Sequence, residues 1–384
     1  MPNRKDAKGR VLKAGESQRK DGSYMYRYTD IYGERRSIYA PDLKELREKE
    51  QIIQKDLNAG IDYRAGNATV IELVQRYLGL KKNLRKSTLE SYSVHLERLA
   101  KMDFAYMKIR DVKRSDVQKV LADLNAKGLK TGTIKGVMSI VRPAFQMAYE
   151  EDIIRKDPFS PKVFESLPND RTKREPLTPY QQKSLLEFAR CNTPWNKYYD
   201  LINVLLGTGM RVGEFCGLTV DDIDFENRRI SINKQIACGT DRKIYVEPPK
   251  TDSGVRFIPI IPQIYCSLKN LIEKSQQSNV INIIDGYHGF IAIKPNKKVM
   301  TSADVDMMFK RLKRAYNREH PTEQIKMLTP HVLRHTFCTN MANSGMDIKS
   351  LQYVMGHSDV SLTLNVYAHS SYEQAALSMF SVAI

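Results

Sequence analysis

The segment Thr329-Pro330-His331-Val332-Leu333-Arg334-His335, followed by Gly356-His357 and, ten residues later, by Tyr367, decides how this chain is read. Thr329-Pro330 marks a helix start: the threonine side chain accepts from free amides of the first turn, and proline lacks only an amide that would go unbonded there. His331 and Arg334 then share one face near the positive end of the helix dipole, where an anionic oxygen binds. Ser344-Gly345 should close this helix and Asp347 should cap the next, while Gly356 after Met355 should end that one in a turn that presents His357. Tyr367 falls on a further short helix. A phenol, a guanidinium and two imidazoles converging here would form a phosphate-handling site with its own nucleophile. Each residue alone has an ordinary packing or loop role; their joint occurrence carries the inference. His331 and His335 have the spacing of a metal pair, but Val332 stands where a zinc-binding helix of that kind needs glutamate, so neither a metal nor another cofactor is expected.

The bulk composition narrows what such a site serves. In 384 residues the formal net charge is +17, which points to a polyanionic partner and away from small neutral metabolites. No apolar run of membrane-spanning length and no apolar leader after the basic N-terminus is present, so the expectation is a soluble, cytoplasmic protein whose polyanion is nucleic acid. Cys191, Cys216, Cys238, Cys266 and Cys338 are odd in number and widely spaced, which suggests reduced, mostly core residues.

Upstream, Tyr24-Met25-Tyr26-Arg27-Tyr28 and Arg35-Arg36-Ser37-Ile38-Tyr39 alternate as strands around a turn with Gly33, and Leu43 to Leu57 reads as an amphipathic helix. A sheet backed by one helix, with Arg and Tyr on its open face, can lay strands in a major groove; the competing reading is a solvated basic hairpin. Asn58 to Asn67 reads as a linker. Thr69 to Asp152 is helical in pattern, with capping boxes expected at Ser87-Thr88-Leu89-Glu90 and Ser115-Asp116-Val117-Gln118, and with Pro143 expected to kink or divide a helix from Thr131 to Glu150. Lys81, Lys82, Arg85, Lys86, Lys108, Arg110, Lys113 and Arg114 cluster at helix starts and connections, where they meet phosphates or merely solvate a face. A second linker covers Lys156 to Thr178. Thr178-Pro179 opens the last region, which carries helices through Leu185 and before Gly207-Thr208-Gly209. Strand-like runs follow at Arg229 to Gln235, Lys243 to Glu247 and Val255 to Ile261, and then helical pattern almost to the end.

Together, Thr208-Gly209-Met210-Arg211-Val212-Gly213-Glu214, Pro249-Lys250-Thr251, His331 to Arg334, Gly356-His357 and Tyr367-Ala368-His369 resemble, in order and separation, the motifs of the tyrosine recombinases, the phage-integrase family. Within it the chain looks closest to integrases of conjugative transposons of Gram-positive bacteria. The resemblance covers the whole chain and implies a multidomain fold: a small α+β arm-site DNA-binding domain over 1–62, an all-α core-binding domain over 68–155, and a mainly α catalytic domain with a small antiparallel β-sheet over 175–384. One departure is that ten positions, rather than nine, separate His357 from Tyr367.

The resemblance assigns roles. Tyr367 would attack a phosphodiester, leaving a 3'-phosphotyrosine and a 5'-hydroxyl; Arg211 and Arg334 would clamp the nonbridging oxygens; Lys250 would protonate the leaving oxygen; His331 would take the phenol proton; and His357 would hydrogen-bond the phosphate. Glu214 is expected to buttress the site, although Arg211 also fits a simpler role, capping a helix or pairing with Glu214. Arg27, Arg35, Arg36, Lys81, Lys82, Arg85, Lys86 and Arg114 are the candidate DNA contacts. Implied partners are double-stranded DNA at core and arm sites and three further copies in a DNA-assembled homotetramer, with an excisionase or a host DNA-bending protein as accessory. Site-specific integration and excision of a mobile element is the activity implied. The alternatives are a catalytically silent DNA-binding regulator, a type IB topoisomerase and a chromosome-dimer resolvase.

Overall fold

Period-two alternation organises the N-terminal strands. β1 (Glu16–Gln18), β2 (Tyr24–Thr29) and β3 (Arg35–Ala40) form an antiparallel sheet in that order, backed by α1 (Leu43–Asn58). This is a computed structural model; it describes residues 4–30, 33–58, 65–159, 162–170, 174–277 and 280–367, and the chain forms two compact units, 1–171 and 172–384. The register pairs Tyr24 with Ala40, Tyr26 with Ile38 and Tyr28 with Arg36, and this face packs with Leu43 and Leu46 of α1. The open face therefore carries Arg27, Arg35 and Tyr39, with Arg19 over the Tyr39 ring. That corrects the expected face: Tyr24, Tyr26 and Tyr28 point toward the helix, because odd and even residues of one strand cannot share a side.

A helical region with its own core occupies the rest of the first unit. α2 (Val70–Leu80) starts at a reciprocal capping box between Thr69 and Glu72. α3 (Lys86–Ala100) starts one residue before Ser87, with Arg85 at the cap and no capping bond from its side chain, so the box expected at Ser87 is absent. α4 (Arg114–Ala126) likewise starts before Ser115; Asp116 does the capping, its carboxylate accepting from the Lys113 amide at 2.8 Å. α5 (Thr131–Glu150) runs undivided through Pro143, with Val137, Val141, Ala144, Phe145 and Ala148 buried. Burial of that face outweighs the one backbone bond that proline removes.

The second unit is mainly helical. It comprises α6 (Pro179–Cys191), α7 (Tyr199–Thr208), α8 (Val212–Gly217), β4 (Ile223–Asp224), β5 (Arg229–Ile232), β6 (Gln235–Cys238), β7 (Ile244–Glu247), β8 (Arg256–Pro259), α9 (Pro262–Gln276), α10 (Ser302–Glu319), α11 (Pro330–Asn343), α12 (Ile348–Met355) and α13 (Ser361–Tyr367). β4, β5 and β8 make one antiparallel sheet, and β6 and β7 a second. Helices α7 and α11 pack together around Leu201, Leu205, Leu333 and Phe337 in one core. Continuous helix after β8 is not observed: the described residues between α9 and α10 are irregular, pinned by bridges from Phe290 to Thr219 and from Ile293 to Val299. Gly286, Gly289 and Pro295 interrupt helical periodicity there. All five cysteines are free thiols, yet only Cys216 and Cys338 are buried, which corrects the expectation of mostly core cysteines. Among the described residues, no helix is long and apolar enough to cross a membrane.

Candidate active site

Two left-handed glycines shape the site. Gly209, at φ +61°, ends α7; a Cβ there would lie 2.3 Å from the Phe337 ring, so neither the angle nor the space admits a side chain. The chain reverses and sets Arg211 at the N-cap of α8. Glu214 accepts from the Arg211 amide at 2.9 Å and from its Nη1 at 2.7 Å, while Arg211 Nη2 donates to the Gly356 carbonyl at 2.8 Å. Capping and pairing with Glu214 are thus both real, and they hold the guanidinium at the edge of the unit with its side chain 30% exposed.

On α11 the Thr329 hydroxyl accepts from the Val332 amide at 3.2 Å, as its sequence requires. The exposed His331 and the buried Arg334 follow one turn apart. Arg334 donates from Nη1 to the Gly209 carbonyl at 2.7 Å and from Nη2 to the Met355 carbonyl at 2.5 Å. Burial, then the positive charge of Arg211, draws its pKa down to about 9, a cation in want of an anion. Desolvation followed by the charges of Arg174 and Arg334 holds the His331 imidazole below its ordinary pKa. Asp347 caps α12, and Gly356, also at φ +61°, ends it. Desolvation, then the charges of Arg334, Arg211 and Arg256, push the half-buried His357 down to about 4. Its Nδ1 lies 3.0 Å from the hydroxyl of the buried Thr363 on α13.

Arg256 and Thr363 are the two site residues that sequence reasoning missed. The Arg256 side chain is fully buried and donates from Nη2 to Glu214 Oε2 at 2.9 Å, from Nη1 to Glu214 Oε1 at 3.2 Å and to the Gly254 carbonyl at 2.8 Å, and from Nε to the Val354 carbonyl at 2.6 Å. Burial alone would raise the Glu214 pKa, but the bonds and charges of Arg256 and Arg211 together hold it below the ordinary glutamate value. A signal existed: Arg256 has the parity of Ile258 and Ile260, the buried face of β8, and a charge on an apolar strand face demands a partner.

Backbone carbonyls and Glu214 therefore bring Arg211, Arg334 and His357 together, with Arg256 behind them. Lys250 is not joined to that network directly. It is exposed in the connection from β7 to β8, four residues before Gly254, and makes no ion pair or hydrogen bond with the described residues. Tyr367 is the last residue of α13, which packs against α11 and α12. The expected feature at His369 and in the following tail lies outside the described residues.

The candidate DNA contacts divide by environment. Arg27, Arg35, Lys82, Lys86 and Arg114 are exposed, and Arg85 is half-buried at the α3 cap. Lys81 stands over the rings of Tyr77 and Tyr92, at 4.8 and 5.8 Å. Arg36 lies on the helix-facing side and is paired with Asp30 at 2.8 Å and with Glu34, so the expectation of an open-face contact is corrected for this residue.

Glu214 thus joins the guanidiniums of Arg211 and Arg256, backbone carbonyls hold Arg334 beside them, and the chain belongs to the phage integrase family of tyrosine recombinases. The model of that family matches residues 175–374; the DNA binding domain of tn916 integrase matches 1–57, and the phage integrase N-terminal SAM-like domain matches 71–152. Among individual proteins, it is similar to the transposase from transposon Tn1545 of Streptococcus pneumoniae, 36% identical over 98% of this chain and 96% of the relative. The transposase from transposon Tn916 of Enterococcus faecalis is 35% identical over the same shares. Of solved structures, the Tn1549 transposon integrase in complex with a circular intermediate DNA is 38% identical, with a TM-score of 0.76 over 82% of this chain and 99% of that one. The expected family and its multidomain fold are borne out.

Proposed function

We propose that this chain is a site-specific DNA recombinase that integrates and excises a mobile element through a 3'-phosphotyrosyl intermediate. The observation that carries the reading is that Arg211 and Arg334 are anchored on the consecutive carbonyls of Gly356 and Met355, directly before His357. Two fixed forks with donors to spare match the two nonbridging oxygens of a phosphodiester, and preorganised donors of this kind typically contribute ~3 kcal/mol each to the transition state.

In this reading the Tyr367 oxygen attacks phosphorus as the bond to the 5'-oxygen breaks. The lowered pKa of His331 leaves it neutral near pH 7, able to take the phenol proton. His357 is neutral as well; when its Nδ1 accepts from the Thr363 hydroxyl, its Nε2–H is the donor to the phosphate. Lys250 delivers a proton to the departing 5'-oxygen. Rejoining reverses these steps, so the bond energy stays in the phosphotyrosine. Residues 1–62 would bind arm sites, 68–155 core sites, and 175–384 would carry the chemistry, with four copies assembled on two duplexes. The complexes of the Tn1549 integrase with DNA support the choice of partner.

The test is a nicked duplex built from the element ends found in the DNA that flanks the native gene. Wild type should form a covalent adduct, and Tyr367→Phe should bind the duplex but form none. Tight binding by wild type without any adduct would favour a silent regulator.

A further inference from the structure

Arg211 has more donors than its contacts consume. Nη1 serves Glu214 and Nη2 serves Gly356, which leaves Nε–H and one hydrogen on each terminal nitrogen without a bond to the described residues. A buried carboxylate beside a guanidinium ordinarily draws it into a two-bond fork, the geometry in which the pair is strongest. Glu214 does not do so here, because each of its oxygens is already shared: Oε1 with Arg256 Nη1, and Oε2 with Arg256 Nη2 and the Arg211 backbone amide. Arg256 also bonds the Val354 carbonyl, two residues before the Gly356 carbonyl that receives Arg211, and the Gly254 carbonyl at the base of the Lys250 loop.

We infer that Arg256 is a positioning residue for DNA cleavage: by occupying Glu214 and tying down the end of α12, it keeps the Arg211 guanidinium turned toward the phosphate. With Arg256 gone, Glu214 takes a second bond from Arg211 and withdraws the donors that the reaction needs. This assignment rests on the phosphotyrosyl reading above. It gives Arg256 no contact with DNA, so its effect is expected on the cleavage step and not on affinity.

The experiment measures single-turnover cleavage of the element-end suicide duplex at saturating full-length protein, together with duplex affinity and the thermal midpoint. Arg256→Lys is the informative variant, since it keeps the buried charge but lacks the fork that holds both oxygens; Arg256→Met leaves Glu214 half-paired and serves as the harsher control. Arg256→Lys should bind within about two-fold of wild type and cleave at least about ten-fold more slowly. The double variant Arg256→Lys/Arg211→Lys should be no slower than Arg211→Lys alone, because both changes remove the same clamp. Wild-type cleavage by Arg256→Lys, or losses that multiply in the double variant, would overturn the assignment. A loss matched by an equal loss of folded protein would overturn it too. No adduct from wild type itself would instead bring down the phosphotyrosyl reading.

Discussion

Arg334 and Arg211 grip neighbouring carbonyls of one helix end, the first from inside the core and the second from its rim: Arg334 is 8% exposed as a residue, and the Arg211 side chain 30%. Replacing either with glutamine should abolish detectable adducts, but the two should differ in folding. Arg334→Gln strands the Gly209 and Met355 carbonyls in the interior and should cost about 2–4 kcal/mol, whereas Arg211→Gln should cost about 1 kcal/mol, since Arg256 still satisfies Glu214. Urea unfolding of the two variants checks this; equal losses would contradict the inside and rim placement.

Lys250, exposed and outside the arginine network, should be separable from it by chemistry. Alanine at this position should slow cleavage about a hundred-fold on an ordinary duplex, in the range of lost general-acid catalysis. A duplex with sulfur in place of the 5'-bridging oxygen, whose leaving group needs no proton, should restore most of the rate. Equal losses on both duplexes would assign the proton to another group.

Acid should weaken the folded state through His357. Its folded pKa of about 4 lies below the ordinary value near 6.5, so between those values the unfolded chain binds a proton that the folded chain refuses. Stability is fully retained above about pH 6.5 and declines as pH falls toward about 4, by at most ~3 kcal/mol from this group. His331 is shifted in the same direction and adds to the decline. Urea unfolding between about pH 7 and about pH 5 should show the slope, and His357→Gln should flatten it; an equally steep variant would remove His357 as the source.

At the N-terminal sheet, Arg27 and Arg35 on the open face should matter more for arm-site binding than Arg36, which Asp30 and Glu34 neutralise. Arg27→Gln or Arg35→Gln should each reduce the salt dependence of binding by about one counterion, while Arg36→Gln should leave the slope nearly unchanged. Salt titrations of DNA affinity distinguish these outcomes, and an equal effect from Arg36→Gln would contradict the face assignment.

How far the sequence could be read depended on the range of each signal. Thr329-Pro330, Asp347 and Gly356 announce helix ends through bonds that span only a few residues, and the structure places all three as read. The boxes expected at Ser87 and Ser115 failed because helices α3 and α4 begin one residue upstream of them, which puts each serine inside the first turn, and at α4 the Asp116 carboxylate takes the Lys113 amide instead. The sidedness of Arg36 was legible in strand alternation. Arg256 was half legible: its parity marks it as buried, but its partner Glu214 lies 42 residues upstream, a distance no local pattern bridges. The carbonyl anchors are silent in any sequence, since every residue supplies the same oxygen.

Glu214 is a single anion serving arginines from two different elements, and among the described residues no second carboxylate is bonded to either. The arrangement has no redundancy. Losing the carboxylate would leave both guanidiniums on their backbone carbonyls but strip the charge partner from both at once, so one change at Glu214 acts on two arginines.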